Sequence, residues 1–300
     1  MIDSTTTARA SWRAADLGVR REISLPQGRM AVFESGSGRP IVFVHGLLVN
    51  ANLWRRVVPR LAGEFHCVTV DMPFGSHTLS MPGSDLTPPG MAELICGAIE
   101  ALGLGPVVLV GNDSGGALCQ LVATTRPDLV ERLVLTSCDA YENMPPLLVR
   151  AIRLTARIPG GLSLLMSALR VPWVRNSPIA FGALAIRPIE PQAADSYVLP
   201  AGIARDIRDD LRRALFGQHR RHTLGAAAHF ADFDLPVLIA WSGRDPIFPM
   251  AHALRLATDF PHARLEVIPG ARGFSPEDQP ARLATAIAEF ASVSRSAQIR

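Results

Sequence analysis

Residues 107–116 read Val-Val-Leu-Val-Gly-Asn-Asp-Ser-Gly-Gly. Four branched apolar residues in succession, Val107 to Val110, with no polar alternation, describe a strand covered on both faces. A helical pattern begins at Ser114 and runs to Thr125, leaving no room for a loop between strand and helix. Such a junction is a tight, strained turn, and the residues two before and two after its apex must be small. Gly111 and Gly115 satisfy this for an apex at Asp113. With Ser114 at the apex the flanks are Asn112 and Gly116, and Asn112 fits poorly. Aspartate is also a preferred helix N-cap, but capping alone gives no reason for the glycines.

Outward from this junction, apolar runs at 41–44, 65–70, 132–136, 237–240 and 265–268 read as buried strands. Helical spacing appears at 52–61, 89–102, 250–259 and 276–290, and segments 20–25 and 29–34 around Pro26-Gln27-Gly28 read as a hairpin. Alternating strands and helices of this kind predict an α/β fold with a mostly parallel central sheet flanked by helices. The alternation stops between 143 and 232, where helical stretches are cut by Pro159, Pro172, Pro178, Pro188, Pro191 and Pro200. That block is expected to form a helical cap over the C-terminal strand edge, where ligands of open α/β sheets bind. The expected organisation is a loosely ordered arm at 1–18, a core at 19–142 and 233–300, and a cap at 143–232. The arginine-rich stretch 205–222 also carries Asp206, Asp209 and Asp210, and reads as a solvated, salt-bridged helix face.

Three hundred residues with 48% apolar content suffice for one large domain with an insertion. A net charge of +3 gives no reason to expect a nucleic-acid partner. All thirty basic residues are arginine, which excludes Schiff-base chemistry, a pyridoxal phosphate anchor and a P-loop lysine. Cys67, Cys96, Cys119 and Cys138 sit in apolar runs and read as reduced core thiols. No run is long and apolar enough to span a bilayer, and the N-terminus has no apolar leader. The eight histidines form no metal-type cluster. The expectation is a cytoplasmic protein acting on a small molecule, with no cofactor, metal, nucleic-acid or membrane partner; oligomeric state is not legible.

Taken with His45-Gly46 after one strand, Asp71-Met-Pro-Phe-Gly75 after the next, and Trp241-Ser-Gly-Arg-Asp245-Pro, the 107–116 junction resembles the nucleophile elbow of the α/β-hydrolase superfamily. The resemblance covers about residues 20–290. Its aspartate-nucleophile branch, the haloalkane and haloacetate dehalogenases and the epoxide hydrolases, is nearest in chemistry. The resemblance implies an alkyl-enzyme ester on Asp113, Asp245 as the acid that orients a histidine, and an oxyanion hole from the N–H groups of Leu47 and Ser114. Three positions depart from that pattern. Gly273 stands where the histidine is expected. Ser114 stands where dehalogenases carry a halide-binding tryptophan or arginine. Only Tyr141 and Tyr197 are available as ring-opening acids. His77, in the loop Phe74-Gly-Ser-His-Thr78, is the candidate replacement base, weighed evenly against a loop histidine bonded to nearby backbone; His219, His222 and His229 are weaker candidates. The leading expectation is a hydrolase of a small, mainly apolar substrate. The alternatives are a non-hydrolytic isomerase, lyase or cyclase on the same fold, and a catalytically impaired ligand binder.

Overall fold

A computed structural model describes residues 4–293. Eight strands form one sheet in the order β1-β2-β4-β3-β5-β6-β7-β8. They are β1 (Val19–Leu25), β2 (Gly28–Ser35), β3 (Arg39–Val44), β4 (Phe65–Val70), β5 (Val107–Asp113), β6 (Val130–Cys138), β7 (Val237–Ser242) and β8 (Ala263–Ile268). The expected hairpin is present: β1 pairs antiparallel with β2, and β2 antiparallel with β4, while every pairing from β4 to β8 is parallel. Burial follows position in the sheet. Every residue of β5 and β7 is buried, whereas the edge strands β1 and β8 expose charged residues such as Arg20, Arg21 and Arg264, which discourages pairing with another chain. The order reverses between β3 and β5, so a crevice opens at their C-terminal ends, the usual ligand position in such sheets.

The helices of the core are α1 (Ser4–Ser11), α2 (Val58–Leu61), α3 (Pro88–Ala101) and α4 (Ser114–Thr125), then α12 (Met250–Asp259), α13 (Ser275–Asp278) and α14 (Pro280–Ser292). Between them, from β6 to β7, lie α5 (Leu147–Thr155), α6 (Gly161–Leu169), α7 (Pro172–Arg175), α8 (Phe181–Leu184), α9 (Pro191–Ile203), α10 (Arg205–Gly217) and α11 (Arg220–Ala227), with no strand among the described residues. The expected all-helical interval is therefore present.

Hydrogen bonds tie this insert to the strand-end loops. Asn50 Nδ2 donates to the Ser196 carbonyl (3.0 Å), Ser76 Oγ to the Tyr197 carbonyl (2.6 Å), and the Phe274 N–H to the Leu184 carbonyl (2.7 Å). The expectation of a loosely ordered arm is corrected for residues 4–18; residues 1–3 lie outside the described residues. Helix α1 packs on α9. Arg9 pairs with Asp195, and Arg13 with the buried Asp71 at 2.7 Å. Composition hid this because the anchoring arginines find their partners far along the chain. The 205–222 stretch needs a similar correction. Arg205 and Asp209 form a solvated i,i+4 pair, but Asp210 is buried on the inner face of α10.

Candidate active site

Asp113 stands at the strand-to-helix turn with φ 55° and ψ −134°, a backbone conformation that non-glycine residues adopt only when their surroundings impose it. Those surroundings are visible. A Cβ on Gly115 would lie 2.4 Å from the His45 carbonyl oxygen, and one on Gly111 2.6 Å from the Gly116 Cα. The two small residues required by the sequence pattern are thus required by close approach. Gly115→Ala is expected to cost roughly 1–3 kcal/mol of unfolding free energy in urea denaturation, because the obstructing atoms are backbone and cannot move aside. The loop after β3 comes equally close, since a Cβ on Gly46 would lie 2.4 Å from the Asp113 Cβ. His45 holds that loop in place. Its Nδ1–H donates to the Gly46 carbonyl and its Nε2 accepts from the Met72 N–H, both at 2.9 Å. Burial pushes its pKa down to about 4, so it is a neutral structural residue.

Three carboxyl groups gather at these strand ends. Asp113 Oδ1 accepts from the Ser114 N–H (2.6 Å) and the Ser114 hydroxyl (3.2 Å). The same hydroxyl lies 3.0 Å from Oδ2 of Asp139, just past β6. One hydroxyl proton cannot serve both carboxylates at once. No arginine or histidine among the described residues hydrogen-bonds to either, and Asp139 Oδ1 has no partner. Burial raises both groups, Asp113 to about 7 and Asp139 well above the ordinary carboxylate range, with the Asp113 charge adding to the latter. The pair therefore retains a proton near neutrality. Asp245, after β7, accepts from the Ile247 and Phe248 N–H groups through Oδ1, both at 2.9 Å, and the Ser137 hydroxyl lies close enough to favour its charged form. Burial raises it too, and its charge raises Asp113 further.

A stability consequence follows, with its sign. Asp113 titrates at about 7 in the fold and near 3.8 when unfolded. Between those values the native state holds a proton that the unfolded state has lost, so wild-type stability falls as pH rises through that window. Asp113→Asn removes the penalty. It is expected to raise stability above pH 7 by on the order of 1–3 kcal/mol and to bring no gain below pH 4, checked by melting across pH.

Asp113 lines a partly open cavity of about 70 Å³. Leu47 and Leu48 line its floor, with Val149 and Ile152 from α5, Leu165 and Leu169 from α6, and Phe181 and Leu184 from α8 around it. Asp113 is the one ionisable residue in that lining. A larger groove of about 780 Å³, bounded by Glu93, Glu100, Arg126 and His222, contains none of the three carboxylates.

The residues anticipated from sequence are not all brought together. Asp113 and Ser114 are in contact, Leu47 lines the same cavity, and Asp245 lies within electrostatic reach. His77 is engaged elsewhere: its Nε2 is 3.0 Å from Oδ2 of Asp210, and its Nδ1 accepts from the Gly75 N–H. Tyr197 directs its hydroxyl toward Glu277, which pairs with Arg55, and Tyr141 donates to Asp259 at 2.8 Å. Neither tyrosine lines the cavity. At Gly273, a Cβ would come within 2.7 Å of Leu184 Cδ2 and 3.3 Å of the Phe248 ring, so apolar side chains fill the space beside that glycine. Asp139 was missed. Its signal was an acid one residue beyond a buried strand, on the edge that carries Asp113.

Residues 41–286 match the profile described as the alpha/beta hydrolase family. Haloalkane dehalogenase 2 of Mycobacterium tuberculosis is 28% identical over 279 residues, covering 88% of this chain and 91% of that protein. Among solved structures, an alpha/beta hydrolase fold protein from Burkholderia ambifaria superposes with a TM-score of 0.77 at 22% identity, over 90% of this chain and 97% of that one. The epoxide hydrolase CorEH superposes at 0.76 with 20% identity, over 91% and 98%. At these identities the structural likeness speaks for the fold alone.

Proposed function

The chain belongs to the alpha/beta hydrolase family, and from that premise we propose that it acts on a small, mainly apolar substrate through nucleophilic attack by Asp113. One observation carries this reading. The strained turn holds Asp113 Oδ1 on the Ser114 N–H, and Asp113 is the one ionisable residue lining the apolar cavity, which supports Oδ2 as the attacking oxygen. In the proposed first step Oδ2 forms a bond to an electrophilic carbon, and the carbon–leaving-group bond breaks with its electron pair leaving on the departing atom. The resulting ester keeps its carbonyl oxygen on the Ser114 N–H, with the Leu47 N–H as the second donor of the oxyanion hole.

The second step, attack of water on that ester, needs a general base. In this reading the nucleophile elbow and Asp245 are retained, and Leu184 of the helical cap occupies the space a histidine at 273 would need. Ester hydrolysis is then slow and limits turnover. The leaving group should appear in a burst of about one equivalent per chain, followed by a slow steady state. Rapid-quench measurement of the halide or alcohol released from a panel of alkyl halides and activated esters tests this, and linear release from the first turnover would contradict it. An epoxide, whose oxygen stays on the alkyl group, reports through a burst of substrate consumption.

His77 in this reading positions the cap. Its loss removes one partner of the buried Asp210 carboxylate, which keeps Arg213 and the Met81 N–H, so His77→Ala is expected to lower unfolding free energy by roughly 1–3 kcal/mol while leaving the burst rate near wild type. A base at His77 predicts the reverse, an unchanged melting point with a slower steady state.

The buried Asp113–Ser114–Asp139 arrangement favours a second reading, in which the proton-sharing pair carries out acid–base chemistry without hydrolysis. Exchange of substrate C–H hydrogen with deuterated water, without any burst, is the outcome that selects it.

A further inference from the structure

From Asn143 to Ile189 the chain contains six arginines and no acidic residue. The same interval holds most of the molecule's conspicuous apolar exposure. Eight of the thirteen large apolar side chains exposed among the described residues lie between 147 and 186, including Leu147 at 79%, Trp173 at 77% and Ile179 at 80%. On α5 and the turn that follows, Leu147, Ala151, Leu154 and Ile158 are exposed at i, i+4, i+7 and i+11, which places them in one stripe. Val149, Ile152 and Ala156 lie on the other side, facing inward. Arg150 and Arg157 flank the outer stripe and are exposed, as are Arg170 at the end of α6 and Arg187 beyond α8. Arg175, by contrast, is buried against Asp195 and takes no part.

A helix with this division, apolar on one stripe, arginine beside it and no acid, lies well at the boundary between lipid headgroups and acyl chains. We propose that the outer face of α5–α8 docks on an anionic lipid surface. Charge complementarity selects that occupant: a neutral apolar partner gives no role to the four exposed arginines, and each is attracted to anionic headgroups. A tryptophan exposed on a short helix among these side chains suits the same boundary. The geometry links the surface to the cavity. Ile179 belongs both to the exposed face and to the lining of the cavity that holds Asp113, so the cavity opens where lipid-dissolved molecules would enter. That link rests on the catalytic reading above; the docking itself does not. No helix among the described residues is long and apolar enough to cross a membrane, which bears only on crossing a bilayer; the proposed surface contact departs from the expectation of no membrane partner.

The test sediments the full chain with vesicles of phosphatidylcholine alone and of equimolar phosphatidylcholine and phosphatidylglycerol. Binding is expected to the anionic vesicles and to weaken with salt. Tryptophan emission should shift to shorter wavelength on binding, and Trp173→Phe should abolish the shift, because Trp54 and Trp241 are already buried and Trp12 is packed against the core. The triple variant Arg150→Gln, Arg157→Gln, Arg170→Gln should bind roughly a hundredfold more weakly with an unchanged melting point. Arg21→Gln with Arg29→Gln, on the distant hairpin, should bind as wild type does. Asp113→Asn should also bind normally, so failure of the chemistry and failure of docking are scored apart. No binding to anionic vesicles, equal binding to neutral ones, or a lipid-free dimer that buries Trp173 would each overturn the proposal.

Discussion

Asparagine at position 113 is expected to remove product formation from any substrate the wild-type chain turns over, a loss of about a thousandfold to ten-thousandfold. The substitution is close to isosteric. Its side-chain oxygen still accepts the Ser114 N–H, the strained turn keeps the same occupant, and the cavity walls are untouched. What is lost is the second carboxylate oxygen as a nucleophile. The pH profile of the wild type carries the same signature. Only ionised Asp113 attacks, and burial places its titration near 7. The burst rate should therefore fall about tenfold for each pH unit below that value and level off above it. A stopped-flow series across pH, with Asp113→Asn as baseline, checks both statements.

The second large effect concerns the slow step. Placing histidine at 273 alone is expected to gain little, because its Cβ would stand 2.7 Å from Leu184 Cδ2 and tight against Phe248, so that the leucine must turn aside and the ring is crowded out of position. Combined with Leu184→Ala, the imidazole gains the space that Leu184 fills beside residue 273 and can turn toward Asp245. The double variant is expected to raise the steady-state rate by roughly a hundredfold, as a positioned general base does, and to leave the burst rate unchanged. The gain depends on ring placement within about an ångström. Steady-state and burst phases recorded in one progress curve separate the two, and the Leu184→Ala single variant controls for cavity enlargement.

The fold was legible because its signals are local. The run from Val107 to Val110, the glycines around Asp113 and the strand-free interval each depend on a few neighbouring residues, and the observed β5, α4 and helical insert follow them closely. What escaped the sequence was contact between distant segments. His77 and Asp210 are 133 positions apart, and nothing in the loop around His77 indicates that α10 delivers a buried carboxylate to it. Leu184 beside Gly273 is likewise a meeting of the insert with the loop after β8. Asp139 was within reach, since it follows a buried strand at the informative edge. The partnership with Asp113 through Ser114 appears only once β5 and β6 are paired in register.

Intact mass followed by peptide mapping tests the central claim most directly. After mixing with a reactive alkyl halide or epoxide, the wild-type chain should gain one substrate-derived group, mapped to Asp113, which decays over the slow turnover time. Asp113→Asn should gain none. A wild-type chain that turns substrate over while carrying no adduct at Asp113, or an adduct that persists in Asp113→Asn, would contradict the account.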